Sequence, residues 1–300
     1  MKSKNTKKQI FYLAMALPGI AFMILFSFVP MYGITIAFKN FSVFDTIWNA
    51  PWVGFYYFEA FFNDRMFWTV MRNTLGISFF RILFGFPLAL IVAIMINELK
   101  SLRFKKTVQT ISYLPYFISW VILGGMFRSW LSEMGLVNNL LMNANLIESP
   151  IPFLTNANYY WAVAVISDIW KNLGWNTILY LAAMTAIDPT LYEAARVDGA
   201  TKLQQIRYIT IPGIRTIIAL QLVLTASGLL GSNLEQTLIL QNPVNFPASE
   251  IINSFVFRLG ILQGSFSYAT AVGIFVSVVS FILVIGTNFL SKKISDTDVF

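Results

Sequence analysis

The chain contains no cysteine and no histidine. The first absence excludes disulfides, thiol nucleophiles and thiolate metal sites. The second removes the usual general base and the commonest metal ligand. Charge is scarce: 12% of the 300 residues are Asp, Glu, Lys or Arg, against 57% hydrophobic. No G-x-x-x-x-G-K-[ST] run occurs, so the chain has no phosphate-binding loop of its own. No catalytic residue, metal site or bound cofactor is expected, and any ATP-driven work falls to another subunit. The ten-residue alternation of a membrane β-barrel is also missing.

What the sequence does have is long apolar runs, at about 11–37, 69–97, 109–131, 159–186, 212–232 and 267–290. Each reaches the roughly 20 residues needed to cross a bilayer, and in lipid a continuous run of this kind must be helical. The expected fold is an all-α membrane protein with six transmembrane helices. The first run carries Pro18 and Pro30 and is expected to kink or end early. A Lys cluster precedes it, as in a signal peptide. Phe11 to Phe28 is long for such a segment and no small-residue cleavage site follows, so it reads as an uncleaved span.

Basic residues orient the bundle. Lys2, Lys4, Lys7 and Lys8, then Lys100, Arg103, Lys105 and Lys106, then Arg196, Lys202, Arg207 and Arg215, then Lys292 and Lys293 all fall on one side if the spans alternate. The positive-inside rule makes that side cytoplasmic, with both termini inside. The same rule accounts for the net charge of +7 without nucleic acid. The stretch 99–108 is basic and amphipathic and reads as a membrane-surface anchor.

A charged island interrupts the apolar runs between 187 and 211. Asp188-Pro189-Thr190 is a helix-start signal. Leu191–Val197 should form a short helix that displays Glu193 for a partner cation, with small Ala194 and Ala195 allowing close approach. Asp198-Gly199 should break it, Thr201–Tyr208 should form a second short helix, and Pro212 should open the fifth span.

The pattern Glu193-Ala194-Ala195-x3-Gly199-x9-Ile209-x-Ile211-Pro212 resembles the coupling loop of ABC importer permeases, with Ile211 where the family has Leu. Tyr12–Asn40, Arg72-Asn73-Thr74-Leu75, Phe84-Gly85-Phe86-Pro87, Gln109–Trp120 and Ser295-Asp296-Thr297 resemble one group of these. It is the carbohydrate permeases of the maltose-permease type, in the polysaccharide- or oligosaccharide-uptake subgroup. The resemblance implies a type I importer fold in the cell membrane of a prokaryote, paired with a second homologous permease. It also implies two cytosolic ATPases that use ATP and Mg, and an external sugar-binding protein. Closure of the ATPases would move the loop as a rigid lever through Glu193, Ala194, Ala195, Asp198, Gly199, Ile209 and Pro212. The domains expected are a tail, first helix and first outer loop (1–68), a five-helix permease core (69–290) and a cytoplasmic tail (291–300).

A sugar path must be polar. Asp168, Lys171, Asn172 and Trp175 bracket the middle of the fourth span. They stand where the resemblance places sugar contacts, an acid and an amide for hydroxyls and an indole for C–H faces. Asp168, Asn172 and Trp175 are spaced to share a face, and Asp168 and Lys171, three apart, can instead pair and only fix packing. Thr225 and Asn233, beside Ser227, Ser232, Glu235 and Gln236, are further candidates for the path or for helix-to-helix hydrogen bonding. Arg81 lies deep in span two and needs a partner that the sequence does not name. A permease for another solute, or a carrier that needs no ATPase, stands as an alternative; the latter should show inverted repeats with broken helices, and none is apparent.

Overall fold

The computed structural model describes residues 2–231 and 233–295, with side chains from 11 to 289 except Ser232. Ser232, Asp296, Thr297 and the side chains of Lys2, Lys4, Lys7, Lys8, Lys292 and Lys293 lie outside the described residues. Within them the chain is helical, with no strand and one isolated bridge between Lys39 and Trp52. In order the helices are α1 (Lys2–Met23), α2 (Val29–Met31), α3 (Tyr56–Phe62), α4 (Phe67–Phe80), α5 (Phe86–Asn97) and α6 (Leu102–Phe117). There follow α7 (Trp120–Trp130), α8 (Leu136–Asn143), α9 (Ala157–Thr185), α10 (Pro189–Val197), α11 (Lys202–Gln205) and α12 (Ile211–Gly213). The last are α13 (Arg215–Ser227), α14 (Leu234–Leu240), α15 (Phe246–Ser249), α16 (Ile252–Phe257) and α17 (Phe266–Ser295).

Among the described residues three stretches are long and apolar enough to cross a membrane: Phe11–Phe38, Phe67–Asn97 and Phe266–Phe289. The count rises to five if each of two bent pairs is one span. One pair falls within the apolar run at about 109–131: α6 and α7 meet at 98° across Ile118 and Ser119. Ser119 caps α7 by accepting from the Ile122 amide at 3.4 Å. The other pair corrects the start of the fifth span. Pro212 belongs to the segment before a 65° bend, and the helix proper begins at Arg215. In the stretch 99–108, Ser101 caps α6, and residues from Leu102 onward are its first turns.

Pro18 sits inside α1 without ending it. Three other prolines each follow a widened π turn by two residues: Ile24–Phe28 before Pro30, Arg81–Gly85 before Pro87, and Ile206–Thr210 before Pro212. A proline ring clashes with the carbonyl four residues earlier and has no N–H to offer it. In each case that carbonyl, of Phe26, Leu83 or Tyr208, lies in the wide turn, which moves it clear.

The chain divides into two compact units. The first comprises Met1–Asp64 and Val256–Phe275, and its aromatic Phe61 packs edge-on against Tyr268 and Phe275. The second comprises Arg65–Phe255 and Val276–Phe300. At its centre α9 packs against α4, α5, α6, α13 and α15. Ile77, Tyr160, Val163, Ala164, Val165 and Leu240 form one apolar cluster along it, and Ala89, Ala93, Ile96, Tyr180 and Met184 form another. Gly174 lets α6 approach: a Cβ there would overlap the carbonyl of Ser112. Gly174→Ala is therefore expected to push the two backbones apart and lower the yield of folded protein. Overpacking of this kind costs about 1–3 kcal/mol, readable as a lower thermal midpoint of the purified complex.

Candidate functional site

The second unit holds a cleft of about 660 Å³ lined by α9, the turn after α4, α13 and the start of α14. Asp168, Asn172 and Asn176 reach it from α9, Thr225 from α13, and Asn233 and Glu235 from the α14 end. Arg81 and Asp168 face each other there, with Arg81 Nε 3.5 Å from Asp168 Oδ2 and both side chains 17% exposed. Arg81 Nη2 donates to Gln236 Oε1 at 2.6 Å. Gln236 Nε2 in turn donates to the Ala164 carbonyl at 2.8 Å and to Ser167 Oγ at 2.7 Å. Asn233 Nδ2 lies 3.5 Å from Asp168 Oδ1. Two charges at membrane depth are tolerated because each has the other and an amide beside it. The partner that the sequence could not name for Arg81 is Asp168.

Lys171 does something else. No ion pair joins it to Asp168 among the described residues. Its ammonium donates to the carbonyls of Pro115 (3.3 Å), Tyr116 (2.7 Å) and Ile118, between the rings of Tyr116 and Trp120. The break between α6 and α7 leaves the carbonyls of Tyr116 and Ile118 without helical partners, while that of Pro115 also accepts from the Ile118 amide at 3.2 Å. A cation at a helix C-terminus satisfies them and complements the helix dipole. The possible Asp168–Lys171 pair is thus corrected: Asp168 turns to span two and Lys171 to span three.

Trp175 also leaves the cleft, stacking on Tyr116 at 4.3 Å with the rings 3° apart. Seven residues of α-helix fall about 20° from two full turns, which puts Trp175 just past Asp168 on the side away from Asn172. So the structure gathers Asp168, Asn172, Thr225 and Asn233 around one cleft. It sets Lys171 and Trp175 against α6. Arg81, Asn176, Gln221 and Glu235 join the lining. For these the sequence offers the depth of Arg81 and the place of Glu235 beside Asn233, and nothing in it singles out Gln221 or Asn176.

The charged island has well-capped ends. Asp188 accepts from the Thr190 amide at 2.9 Å, with Pro189 at the first turn of α10. That amide holds the Asp188 carboxyl below the ordinary carboxylate range. The capping contribution is therefore complete at neutral pH and is lost as pH falls through the depressed value. Gly199 takes a left-handed φ of 75°, and the Ala200 amide reaches back to the Ala195 carbonyl at 2.8 Å to close α10. Thr201 and Gln204 then cap α11 reciprocally. The second short helix has a shorter α part than expected, Lys202–Gln205, which runs on into the wide π turn Ile206–Thr210. Tyr192 and Thr210 hydroxyls meet at 2.9 Å and tie the two halves together. Glu193 and Ala194 are exposed, as are Val197, Leu203 and Tyr208. Lys202 pairs with Glu98 at 2.8 Å, linking the island to the end of α5. With Lys202 two-thirds exposed, the pair contributes position more than stability.

Residues 85–296 match the family of binding-protein-dependent transport system inner membrane components. Protein LplB of Bacillus subtilis (strain 168) is 38% identical over 285 residues, 95% of this chain and 89% of LplB. The polygalacturonan/rhamnogalacturonan transport system permease protein YteP of the same organism is 38% identical over 298 residues, 99% of this chain and 92% of YteP. A chain of the bacterial alginate ABC transporter, in the crystal structure of its complex with alginate pentasaccharide-bound periplasmic protein, superposes with a TM-score of 0.89. It is 37% identical, and the match covers 99% of both chains. A family match over more than half the sequence, with identity running along nearly all of it, places this chain among the binding-protein-dependent transport system inner membrane components, as a multi-pass transport subunit of the bacterial cell membrane and not an enzyme.

Proposed function

We propose that the chain is the permease subunit of an ATP-driven importer of oligosaccharides or polysaccharide fragments. The observation that carries this reading is the cleft, which places amides, a hydroxyl and a neutralised ion pair inside an otherwise apolar bundle. Sugar hydroxyls need that mixture of donors and acceptors, and a non-polar solute does not. The names of YteP and of the alginate transporter point the same way, and the latter's periplasmic protein supports an external binding protein as the source of sugar.

In this reading six spans adopt the type I importer arrangement within a core at 69–290, with both termini in the cytoplasm. A second homologous permease completes the path, and two cytosolic ATPases supply ATP and Mg chemistry. Asp168, Asn172, Thr225 and Asn233 contact sugar; Lys171 and Trp175 hold the corner of span three beside them. Glu193, Ala194, Ala195, Asp198, Gly199, Ile209 and Pro212 form the lever that the ATPases move. The reciprocal caps and the Tyr192–Thr210 contact make the island rigid enough to transmit force.

Proteoliposomes holding both permeases, the ATPases and the binding protein should take up labelled oligosaccharide only with ATP. Uptake without ATP would defeat the importer class. Gly199→Leu places a side chain at φ 75°, a conformation that costs roughly 1–2 kcal/mol for a residue with Cβ. Both Gly199→Leu and Glu193→Ala are expected to abolish uptake and weaken co-purification of the ATPases while insertion is normal. Wild-type uptake by both variants would defeat the lever.

A further inference from the structure

The first unit has an open cavity of its own, of about 540 Å³, lined by Asn40, Tyr57, Asp64, Gln263, Ser265 and Tyr268 with their neighbours. None of its lining belongs to the cleft. Its volume falls within the roughly 300–1,000 Å³ of small-ligand sites. Tyr57 donates its hydroxyl to Asn40 Oδ1 at 2.7 Å, and Tyr268 donates to Asp64 Oδ2 at 2.9 Å. The two phenol rings stand perpendicular, 6.4 Å apart. The left-handed turn at Gly264 (φ 72°) reverses the chain between Gln263 and Ser265 at the rim. Among the described residues the side-chain nitrogen Nδ2 of Asn40, the side-chain amide of Gln263 and the Ser265 hydroxyl have no partner in the protein.

The chemistry of this lining narrows the ligand. No Lys or Arg lines the cavity, and its one carboxylate already accepts from Tyr268. An anion would find no counter-charge, and an apolar ligand would strand two amides and a hydroxyl. Uncommitted amides and a hydroxyl beside aromatic rings suit a neutral polyol, whose hydroxyls bond the amides while its C–H faces lie on the phenols. We propose that this cavity is a second carbohydrate subsite, which takes a neutral sugar unit outside the cleft. The inference rests on the importer reading, which puts both loops on the outer face where sugar arrives.

The test uses the assembled transporter in nanodiscs without its binding protein. Saturation-transfer NMR titrations with maltotetraose, galactotetraose and tetragalacturonate are run beside uptake of the same sugars. A neutral tetramer that is transported should bind the wild type. The double change Asn40→Ala/Gln263→Ala should weaken that binding roughly 5- to 150-fold, for two hydrogen bonds lost. Both positions are exposed, so the variant should fold. The cleft variant Asn172→Leu should retain the subsite signal. Unchanged binding in the double variant, or tetragalacturonate bound as tightly as the neutral sugars, overturns the subsite and leaves the importer standing. A wild type that imports none of the three and binds none overturns both.

Discussion

Arg81→Met should abolish uptake and destabilise the transporter by about 3–5 kcal/mol, because it strands the Asp168 carboxylate among helices with no cation to meet it. It also leaves Gln236 Oε1, in a side chain only 1% exposed, without its donor. Replacing both charges removes the stranded ion, so Arg81→Met/Asp168→Leu should recover most of the lost stability even if transport stays low. The thermal midpoint of the purified complex for each single and the double variant measures this. A double variant no more stable than Arg81→Met alone would show that the two charges do not depend on each other.

Lys171→Met should be nearly as damaging, for a different reason. The carbonyls of Tyr116 and Ile118 at the corner of α6 and α7 would lose their donor, at about 1–3 kcal/mol for each buried group left unsatisfied, while that of Pro115 would keep the Ile118 amide. Lys171→Arg should rescue only in part, since a planar fork cannot converge on three carbonyls as an ammonium does. Hydrogen exchange at residues 116–120 should rise sharply in Lys171→Met and little elsewhere. The combination with Asp168→Leu separates this role from an ion pair with Asp168. The two losses should simply add, whereas paired partners would compensate. Compensation between Asp168 and Lys171 would restore the ion-pair reading.

These two sites mark where the sequence was legible and where it was not. The apolar runs gave the location of the helices, and Asp188-Pro189 and Gly199 gave the ends of α10, because capping and left-handed turns depend on a few adjacent residues. The bends at 118–119 and at Ile214 had local signals as well, Ser119 as a cap and Gly213 before Ile214. A run judged by its total hydrophobicity averages over them. Pairing was the real loss. Asp168 and Lys171 sit three apart and look like natural partners, yet the chain spends Lys171 on a helix end 53 to 56 residues away and Asp168 on Arg81. Nothing in local spacing distinguishes those outcomes; only the tertiary position of the α6 break does. Trp175 strayed from its expected place because helical periodicity is not an integer.

The wide turn before Pro87 has an effect that reaches well beyond the proline ring. Counting by about 3.6 residues per turn from buried Ile77, an unbroken helix would bring Leu88, Ile91 and Met95 inward. In the structure those three are 37%, 52% and 64% exposed, and the residues next along or nearly so, Ala89, Ala93 and Ile96, are 2%, 0% and 2% exposed. The second half of the span is indexed one residue late, a rotation of roughly 100° about its own axis. Pro87 therefore acts as a phase pin. It lets one continuous rod show Arg81 to the cleft at one level and a smooth alanine seam to Tyr180 and Met184 at the next. Were the turn to relax to ordinary winding, every side chain beyond it would turn to a different neighbour at once, with no change in the rod's direction.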